Sequence, residues 1–318
     1  MSAERRSTRV GYALAASAAA MWALNGSLAR YLLDDGVSAL RLSQMRSLLS
    51  WLILVVAIGT VAPAMLKVAR EDVPRLAFMG IAGLAGVHAT YFLAIDRLQI
   101  GVALTIQYLG PLLILVWLAV FHRRRLGRGL WGAAALSVAG CFLVVRAYDA
   151  GALDVLGVAA AFAAAVTFAV YLVASERAGR RYAPVTTLVW AFGFASLFWA
   201  FAQPLWSFPA GDFDGARNVG LALGVALIGT LVPFVLMVTA VRHIPASRAA
   251  VVATLEPVLA ALFAWVIHDE SLSPPQIAGG LLVVAAVVWV QLQRISHEME
   301  AAPDQASRKV QEAVAARG

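Results

Sequence analysis

Charged residues are scarce in this chain: they make up 14% of its 318 residues, while 61% are hydrophobic. A soluble domain usually carries about 25% charged residues because its surface must be hydrated. The single cysteine, Cys141, excludes an intramolecular disulfide. The net charge of +7 comes from short basic clusters between apolar stretches, without the contiguous basic region that nucleic acid binding requires. The composition therefore favours a protein surrounded by a lipid bilayer, with no nucleic acid partner.

The sequence also lacks the motifs of several kinds of catalytic site. It has no Gly-rich phosphate loop ending in Gly-Lys-Ser/Thr, which disfavours ATP hydrolysis within the chain. It has neither Gly-x-Ser-x-Gly nor His-Glu-x-x-His, and His88, the one histidine well inside an apolar segment, has no paired metal ligands. We therefore predict that the protein is not an enzyme and that it has no catalytic residues, metal ion or cofactor.

Long apolar segments recur from one end of the chain to the other. A helix needs roughly 20 apolar residues to cross the hydrocarbon core of a bilayer. Ten segments qualify, and they cover residues 10–33, 38–61, 75–95, 100–121, 127–146, 152–175, 185–206, 219–241, 246–268 and 274–292. We predict an all-α polytopic membrane protein of ten transmembrane helices, followed by a polar cytoplasmic tail at 293–318.

Basic residues are distributed unevenly between the two sides of the predicted helices. With the N-terminus inside, nineteen Lys and Arg residues fall on cytoplasmic flanks, and Arg46 lies within a segment. The five on the opposite side are Arg30, Arg41, Arg97, Arg146 and Arg217. Because Lys and Arg accumulate in cytoplasmic loops, we predict that both termini are cytoplasmic and that the protein lies in the inner or plasma membrane.

The two halves of the chain resemble each other at a constant spacing. A shift of 146 residues aligns Pro111 with Pro257, together with several alanines, leucines and a histidine. Each half contains five predicted helices, an odd number, so the second half enters the membrane from the opposite side. The equivalent loops agree with this, since His122-Arg123-Arg124-Arg125 is basic and His268-Asp269-Glu270-Ser271 is acidic. We predict two inverted repeats, at residues 1–148 and 149–292, of the kind found in secondary transporters.

Several short motifs carry a resemblance to a known family. They are Asn25-Gly26-Ser27-Leu28-Ala29-Arg30, Val37-Ser38-Ala39-Leu40-Arg41, Gly101-Val102-Ala103 before Gly110-Pro111, Pro245-Ala246-Ser247-Arg248-Ala249, Leu255-Glu256-Pro257 and His268-Asp269-Glu270-Ser271-Leu272. With this layout over nearly all of residues 10–292, the chain resembles the EamA-type ten-helix members of the drug/metabolite transporter superfamily. His268-Asp269 replaces the small residue that the family usually has before Glu270. The resemblance implies a central cavity enclosed by helices 1–4 and 6–9, and export or facilitated movement of amino acids and other small metabolites.

Three ionisable residues lie well inside the predicted spans, where a charge costs about 2.5–3.5 kcal/mol on insertion scales: Arg46, His88 and Glu256. Glu256 precedes Pro257, which predicts a kink and a free carbonyl near Ala253. The Glu256 carboxyl either binds a substrate ammonium or changes protonation, or it only braces the kink. Arg46 either holds a substrate carboxylate or pairs with helix carbonyls or Glu256. His88 either contacts the solute or handles protons, or it is a satisfied interior histidine.

Aromatic and amide side chains at matching positions complete the candidate site. They are Trp22 and Asn25 with their repeat counterparts Phe168 and Tyr171, Tyr91 one turn from His88, and Gln107 and Tyr108 before the Gly110-Pro111 break. Aromatic rings in the middle of a transporter can stack on a solute, although most membrane aromatics only pack. The glycines Gly80, Gly83 and Gly86 are expected to permit close approach of another helix.

We predict a secondary transporter that exports amino acids or related zwitterions across the plasma membrane by alternating access. Transport of sugars, nucleobases or cationic drugs by the same fold stays open, as do proton coupling and a monomeric or homodimeric state. An intramembrane enzyme and a channel are the alternatives from other functional classes. The sequence lacks the motifs that an intramembrane enzyme would need. Two opposed halves fit alternating access better than they fit a channel.

Overall fold

A computed structural model describes residues 3–98, 100–123, 126–149, 153–208, 211, 215–268 and 271–292. The predicted tail at 293–318 lies outside the described residues. Within the described ranges the chain is helical and contains no strand. Its helices are α1 (Ala3–Asp34), α2 (Ala39–Val61), α3 (Arg70–Ile95), α4 (Ile100–Gln107), α5 (Gly110–Val120), α6 (Arg128–Val144), α7 (Val155–Gly179), α8 (Pro184–Ala202), α9 (Ala216–Ala240), α10 (Ala246–Ala253), α11 (Leu255–His268) and α12 (Pro274–Leu292).

Eight helical stretches in the described part of the chain are long and apolar enough to cross a membrane. They are α2, α3, Val102–Val120, α7, α8, α9, Ala246–Phe263 and α12. Of the two other predicted spans, α6 is apolar but has only 17 residues, and α1 has 32 residues with more small and polar side chains. The predicted class, an all-α polytopic membrane protein, is confirmed.

Helix starts follow the local sequence. The Ser38 hydroxyl accepts a hydrogen bond from the backbone N–H of Arg41 at 3.2 Å and caps α2. The Asp154 carboxylate does the same for α7, accepting from the N–H of Gly157 at 2.7 Å. These caps satisfy N–H groups that have no partner within the first helical turn.

Two of the predicted continuous helices are broken. The segment 100–121 is interrupted by a turn at Tyr108 and Leu109, and the segment 246–268 by a turn at Thr254. The breaks have the same cause, because α4 and α10 end four residues before Pro111 and Pro257 respectively. Proline has no N–H for the carbonyl four residues back and its ring clashes with that carbonyl. The predicted kink before Pro257 is therefore confirmed.

Two π-helical segments, which periodicity does not predict, interrupt α3 at Met79–Ala85 and α9 at Leu227–Leu231. A π-helical turn shifts the register of side chains along a helix and is frequent at functional sites. The Thr230 hydroxyl accordingly donates to the carbonyl of Val225, five residues back, at 2.9 Å.

The glycines of α3 lie against neighbouring helices, as predicted. A Cβ on Gly80 would lie 2.3 Å from the carbonyl oxygen of Ala191 in α8. A Cβ on Gly86 would lie 3.1 Å from the Thr167 side chain in α7. Small residues of this kind allow helix backbones to approach closely in a membrane. The middle of α3 is therefore held between α7 and α8.

Candidate functional site

Arg46 lies on α2 in the interior of the helix bundle. Its side chain is half-buried, whereas Met45 and Ser47 beside it are buried. One guanidinium nitrogen, Nη2, lies 3.5 Å from the carbonyl oxygen of Gly229 in the π-helical part of α9 and donates to it. The guanidinium also interacts electrostatically with Glu256 and with His88. A cation at membrane depth is expected to face the bundle interior, as Arg46 does.

Glu256 brings the negative charge into the same region from α11. Its carboxyl is half-buried and accepts a hydrogen bond from the Tyr108 hydroxyl. It also interacts electrostatically with Tyr91 of α3. Tyr108 stands at the break between α4 and α5, and Glu256 is the second residue after the break at Thr254. The two broken helices therefore present their polar groups to each other.

Aromatic rings form one wall of the region, centred on Phe234 of α9. The ring centroids of Trp22 and Tyr171 each lie 5.3 Å from that of Phe234, and the His88 ring lies 6.4 Å away. Phe168 joins the wall through Tyr171, at 6.4 Å between centroids. Edge-to-face and tilted arrangements at these distances are favourable for aromatic pairs. The wall presents apolar ring surface beside the charges of Arg46 and Glu256.

Asn25 reaches the same region from α1. A Cβ on Gly229 would lie 1.7 Å from the side-chain oxygen Oδ1 of Asn25, so only glycine leaves room for this amide. Because the Gly229 carbonyl also accepts from Arg46, three helices meet at this one residue. In α3, a Cβ on Gly83 would lie 3.1 Å from the Cα of Tyr171.

Several polar atoms of the predicted residues are buried without a hydrogen-bond partner among the described residues. They are Trp22 Nε1, Asn25 Oδ1, Arg46 Nε and Gln107 Oε1. A buried polar group without a partner costs about 1–3 kcal/mol, so such groups are rare in native proteins. Their concentration among the candidate residues provides both donors and acceptors for a small polar ligand.

The structure therefore brings nine of the predicted residues into two adjoining groups. Arg46, Glu256, Tyr108 and Tyr91 are joined by charge and hydrogen bonding, and Trp22, His88, Phe168 and Tyr171 by ring contacts. Asn25 is joined to the first group through Gly229. Gln107 stands next to Tyr108 at the end of α4, with its Oε1 unpaired within the described residues.

Sequence reasoning missed the two residues around which these side chains meet, Phe234 and Gly229. Under the predicted shift of 146 residues, Phe234 is the counterpart of His88, and Gly229 is the counterpart of Gly83. The repeat was therefore the available signal for both. Among the described residues there is no group of three His, Cys, Asp or Glu side chains that could hold a metal ion.

Comparison with known proteins identifies similar chains. The EamA-like transporter family matches residues 9–146 and again 155–292. The threonine/homoserine exporter RhtA of Escherichia coli (strain K12) is 30% identical over 253 residues, which cover 79% of each chain. The uncharacterized inner membrane transporter YicL of Salmonella typhimurium (strain LT2) is 27% identical over 297 residues, 90% of this chain and 96% of the relative.

A solved crystal structure has the same fold. It superposes with a TM-score of 0.73 and covers 91% of this chain and 97% of its own, at 23% sequence identity. At that identity the likeness shows the arrangement of the helices and nothing about the solute.

Proposed function

This chain belongs to the EamA-like transporter family, and on that premise we propose that it is a secondary transporter that exports amino acids or related zwitterions by alternating access. The family and the named relatives are transporters rather than enzymes, so this chain is a transporter. Its eight long apolar helical stretches make it a multi-pass membrane protein. The exporter RhtA, which is similar over 79% of its length, supports the amino acid assignment by its name.

The observation that carries the proposed solute is the electrostatic interaction between Arg46 and Glu256. In a zwitterionic amino acid, the carboxylate and the ammonium group are bonded to the same carbon atom. A guanidinium binds a carboxylate with charge-assisted hydrogen bonds, and a carboxylate binds an ammonium in the same way. Arg46 and Glu256 are close enough to interact, and the candidate site also holds unpaired amide and indole atoms of Asn25, Gln107 and Trp22. A neutral sugar or nucleobase offers no charged group to either residue.

Contacts at positions 146 residues apart support the proposal that residues 1–148 and 149–292 are inverted repeats. Gly83 contacts Tyr171, and its counterpart Gly229 contacts Asn25, the counterpart of Tyr171. The π-helical segments of α3 and α9 also overlap under this shift. Inverted repeats place one binding site at their interface and expose it alternately to each side of the membrane.

Two ion pairs at the ends of helices are also related by the shift of 146 residues. Glu71 and Arg181 are 2.8 Å apart and join α3 to the end of α7; we call them the inner ion pair. Asp35 and Arg217 are 2.6 Å apart and join the end of α1 to α9; we call them the outer ion pair. Shifted by 146 residues, each acid falls on a base of the other pair. Each pair links one half of the chain to the other, so rocking of the halves would break them in turn.

The proposed topology completes this account. With α1 and α6 added to the eight apolar stretches there are ten spans, and the positive-inside rule then places both termini in the cytoplasm. The inner ion pair lies on the cytoplasmic side in this orientation, and the outer pair on the opposite side.

The outer ion pair can be tested by reversing its charges. Arg217→Glu places a carboxylate beside Asp35 and should favour the outward-open state. Leu28 of α1 packs, half-buried, against the apolar cluster next to this ion pair. Because an exposed ion pair contributes at most about 1 kcal/mol, we expect labelling of a Leu28→Cys reporter by an impermeant maleimide to become faster by up to about fivefold. The native Cys141 is buried and gives little background. Asp35→Arg combined with Arg217→Glu should restore the original rate. A double variant that labels as fast as the single variant would contradict the role of this pair.

The proposed solute class can be tested with the purified protein. A thermal-shift screen against amino acids, sugars, nucleobases and cationic drugs at millimolar concentration should show stabilisation by amino acids, because a ligand that binds the folded state raises the melting temperature. Threonine and homoserine are the first candidates, given the relative that exports them. Stabilisation by a sugar or a drug, with none by any amino acid, would overturn the proposal.

A further inference from the structure

A groove of about 1050 Å³ lies between α3, α5 and α7, apart from the candidate site. Its walls are apolar and include Phe78, Val116, Phe121 and Val166. These side chains are between 41% and 68% exposed, although they lie on or beside helices long and apolar enough to cross a membrane. Large apolar side chains exposed at these positions face lipid. The groove is therefore open to the bilayer rather than enclosed.

One end of the groove is basic. Arg75, Arg177 and Arg181 line it, together with the single acid Asp72. Asp72 is already shared, since its two carboxylate oxygens lie 2.7 Å from Arg75 and 2.7 Å from Arg181. With three arginines and one aspartate, the lining carries a net positive charge.

Arg177 differs from the other two arginines. Its Nη2 lies 3.2 Å from Nε2 of His122, and it pairs with no carboxylate in the part of the chain that the structure describes. Its side chain is exposed at the groove end. An anion at this end would therefore meet a guanidinium whose charge no acid among the described residues neutralises.

The length of the groove matches one leaflet of a bilayer. Along α7 the lining runs from Val166 to Arg177, which is about 16 Å at the rise of 1.5 Å per helical residue. One leaflet contributes about 15 Å of the hydrocarbon core of about 30 Å. The Trp117 ring lies 4.4 Å from that of Phe121, between centroids, and near the basic end of the groove. Tryptophan is a residue type that favours the boundary between headgroups and hydrocarbon.

We propose that this groove binds an anionic phospholipid of the cytoplasmic leaflet. The apolar walls hold an acyl chain, and Arg177, with Arg75 beside it, holds the phosphate. Basic pockets between transmembrane helices on the cytoplasmic side are suited to such headgroups. A small polar solute would find no polar partner along these walls, so the groove is distinct in chemistry from the site around Arg46. The choice of leaflet rests on the proposed orientation of the chain.

Native mass spectrometry of the full-length protein provides the test. The protein is released from micelles containing equal amounts of phosphatidylglycerol and phosphatidylcholine, and the lipid adducts are counted. The wild type should retain phosphatidylglycerol preferentially. Arg177→Gln should lower that preference by about fivefold, because one arginine near an anionic headgroup contributes on the order of 1 kcal/mol. Arg177→Lys, which keeps the charge, should retain most of it.

Two further variants separate the groove from general effects of charge. Arg128→Gln removes an arginine that the groove does not contain and should leave the preference unchanged. Ala174→Phe narrows the groove without altering charge and should reduce binding of both lipids. The proposal would be overturned if Arg177→Gln and Arg128→Gln lost the preference for phosphatidylglycerol equally, or if the wild type showed no preference. A protein dimer that covers the groove in place of lipid would also overturn it. No solute is needed, so a negative result here leaves the transport proposal standing.

Discussion

Replacing Arg46 with glutamine is expected to weaken binding of the transported amino acid by at least about thirtyfold. Removing one partner of a desolvated, hydrogen-bonded charge pair costs about 2 kcal/mol or more, and 1.4 kcal/mol corresponds to tenfold. The neutral amide offers a substrate carboxylate no charge, and its side chain is too short to replace the Nη2 hydrogen bond to the Gly229 carbonyl. The change in affinity can be measured from the concentration dependence of the thermal shift or by isothermal calorimetry.

Two matched variants make this result specific. Arg46→Lys keeps the charge but loses the planar fork, so its affinity should fall between those of the wild type and Arg46→Gln. Arg41→Gln also removes an arginine from α2, but Arg41 bonds to Pro204 and Ser207 at the outer end of α8. It should leave affinity unchanged. If Arg46→Gln binds amino acids as tightly as the wild type, Arg46 serves only to pair with the Gly229 carbonyl and Glu256.

Replacing Glu256 with glutamine is expected to weaken binding of a zwitterionic amino acid by about tenfold. Hydrogen bonds in which one partner is charged are roughly twice as strong as neutral ones, and the ammonium group loses its counter-ion. The affinity for an analogue without the amino group should fall much less, because such a compound has no ammonium group to bind the Glu256 carboxylate. Affinity for both compounds in the same variant is the decisive comparison.

The alternative role of Glu256, bracing the break at Thr254, predicts a different pattern. Glu256→Gln would then lower the melting temperature of the ligand-free protein and affect both compounds equally. Tyr108→Phe is the matched control, since it removes the hydrogen bond to the carboxyl and keeps its charge. We expect Tyr108→Phe to cost stability without discriminating between the two compounds. Retained transport with unchanged pH dependence in Glu256→Gln would exclude a protonation role for this carboxyl.

Much of the fold was predictable because apolar length carries most of the information in a membrane protein. Helices that cross a bilayer satisfy their own backbone groups, so segments of about 20 apolar residues locate them. Proline chemistry predicted the break before Pro257, and small-residue spacing predicted the packing of α3 through Gly80. The π-helical segments were not predictable, because their residues are all small or apolar, so a shift of helical register leaves no trace in the hydrophobic pattern.

The candidate site was predictable in its charged members and less so in its centre. Arg46, His88 and Glu256 were identified because an ionisable group at membrane depth is costly and therefore rare. Phe234 and Gly229 escaped notice since phenylalanine and glycine are ordinary in transmembrane helices. Only the geometry shows that rings gather around Phe234 and that the Gly229 carbonyl faces Arg46. Specificity for one solute depends on such distances, which a single sequence does not contain.

Counterflow in proteoliposomes tests the central claim, that this chain exchanges amino acids by alternating access, most directly. Vesicles containing the purified protein are preloaded with unlabelled threonine or homoserine, and uptake of a trace of the labelled compound is followed. We predict that preloading stimulates uptake, because a carrier returns its site to the outer face faster when it is occupied. Arg46→Gln vesicles should show little stimulation. Uptake that is equal with and without preloading, for every amino acid tried, would contradict the account and indicate a channel or a different solute.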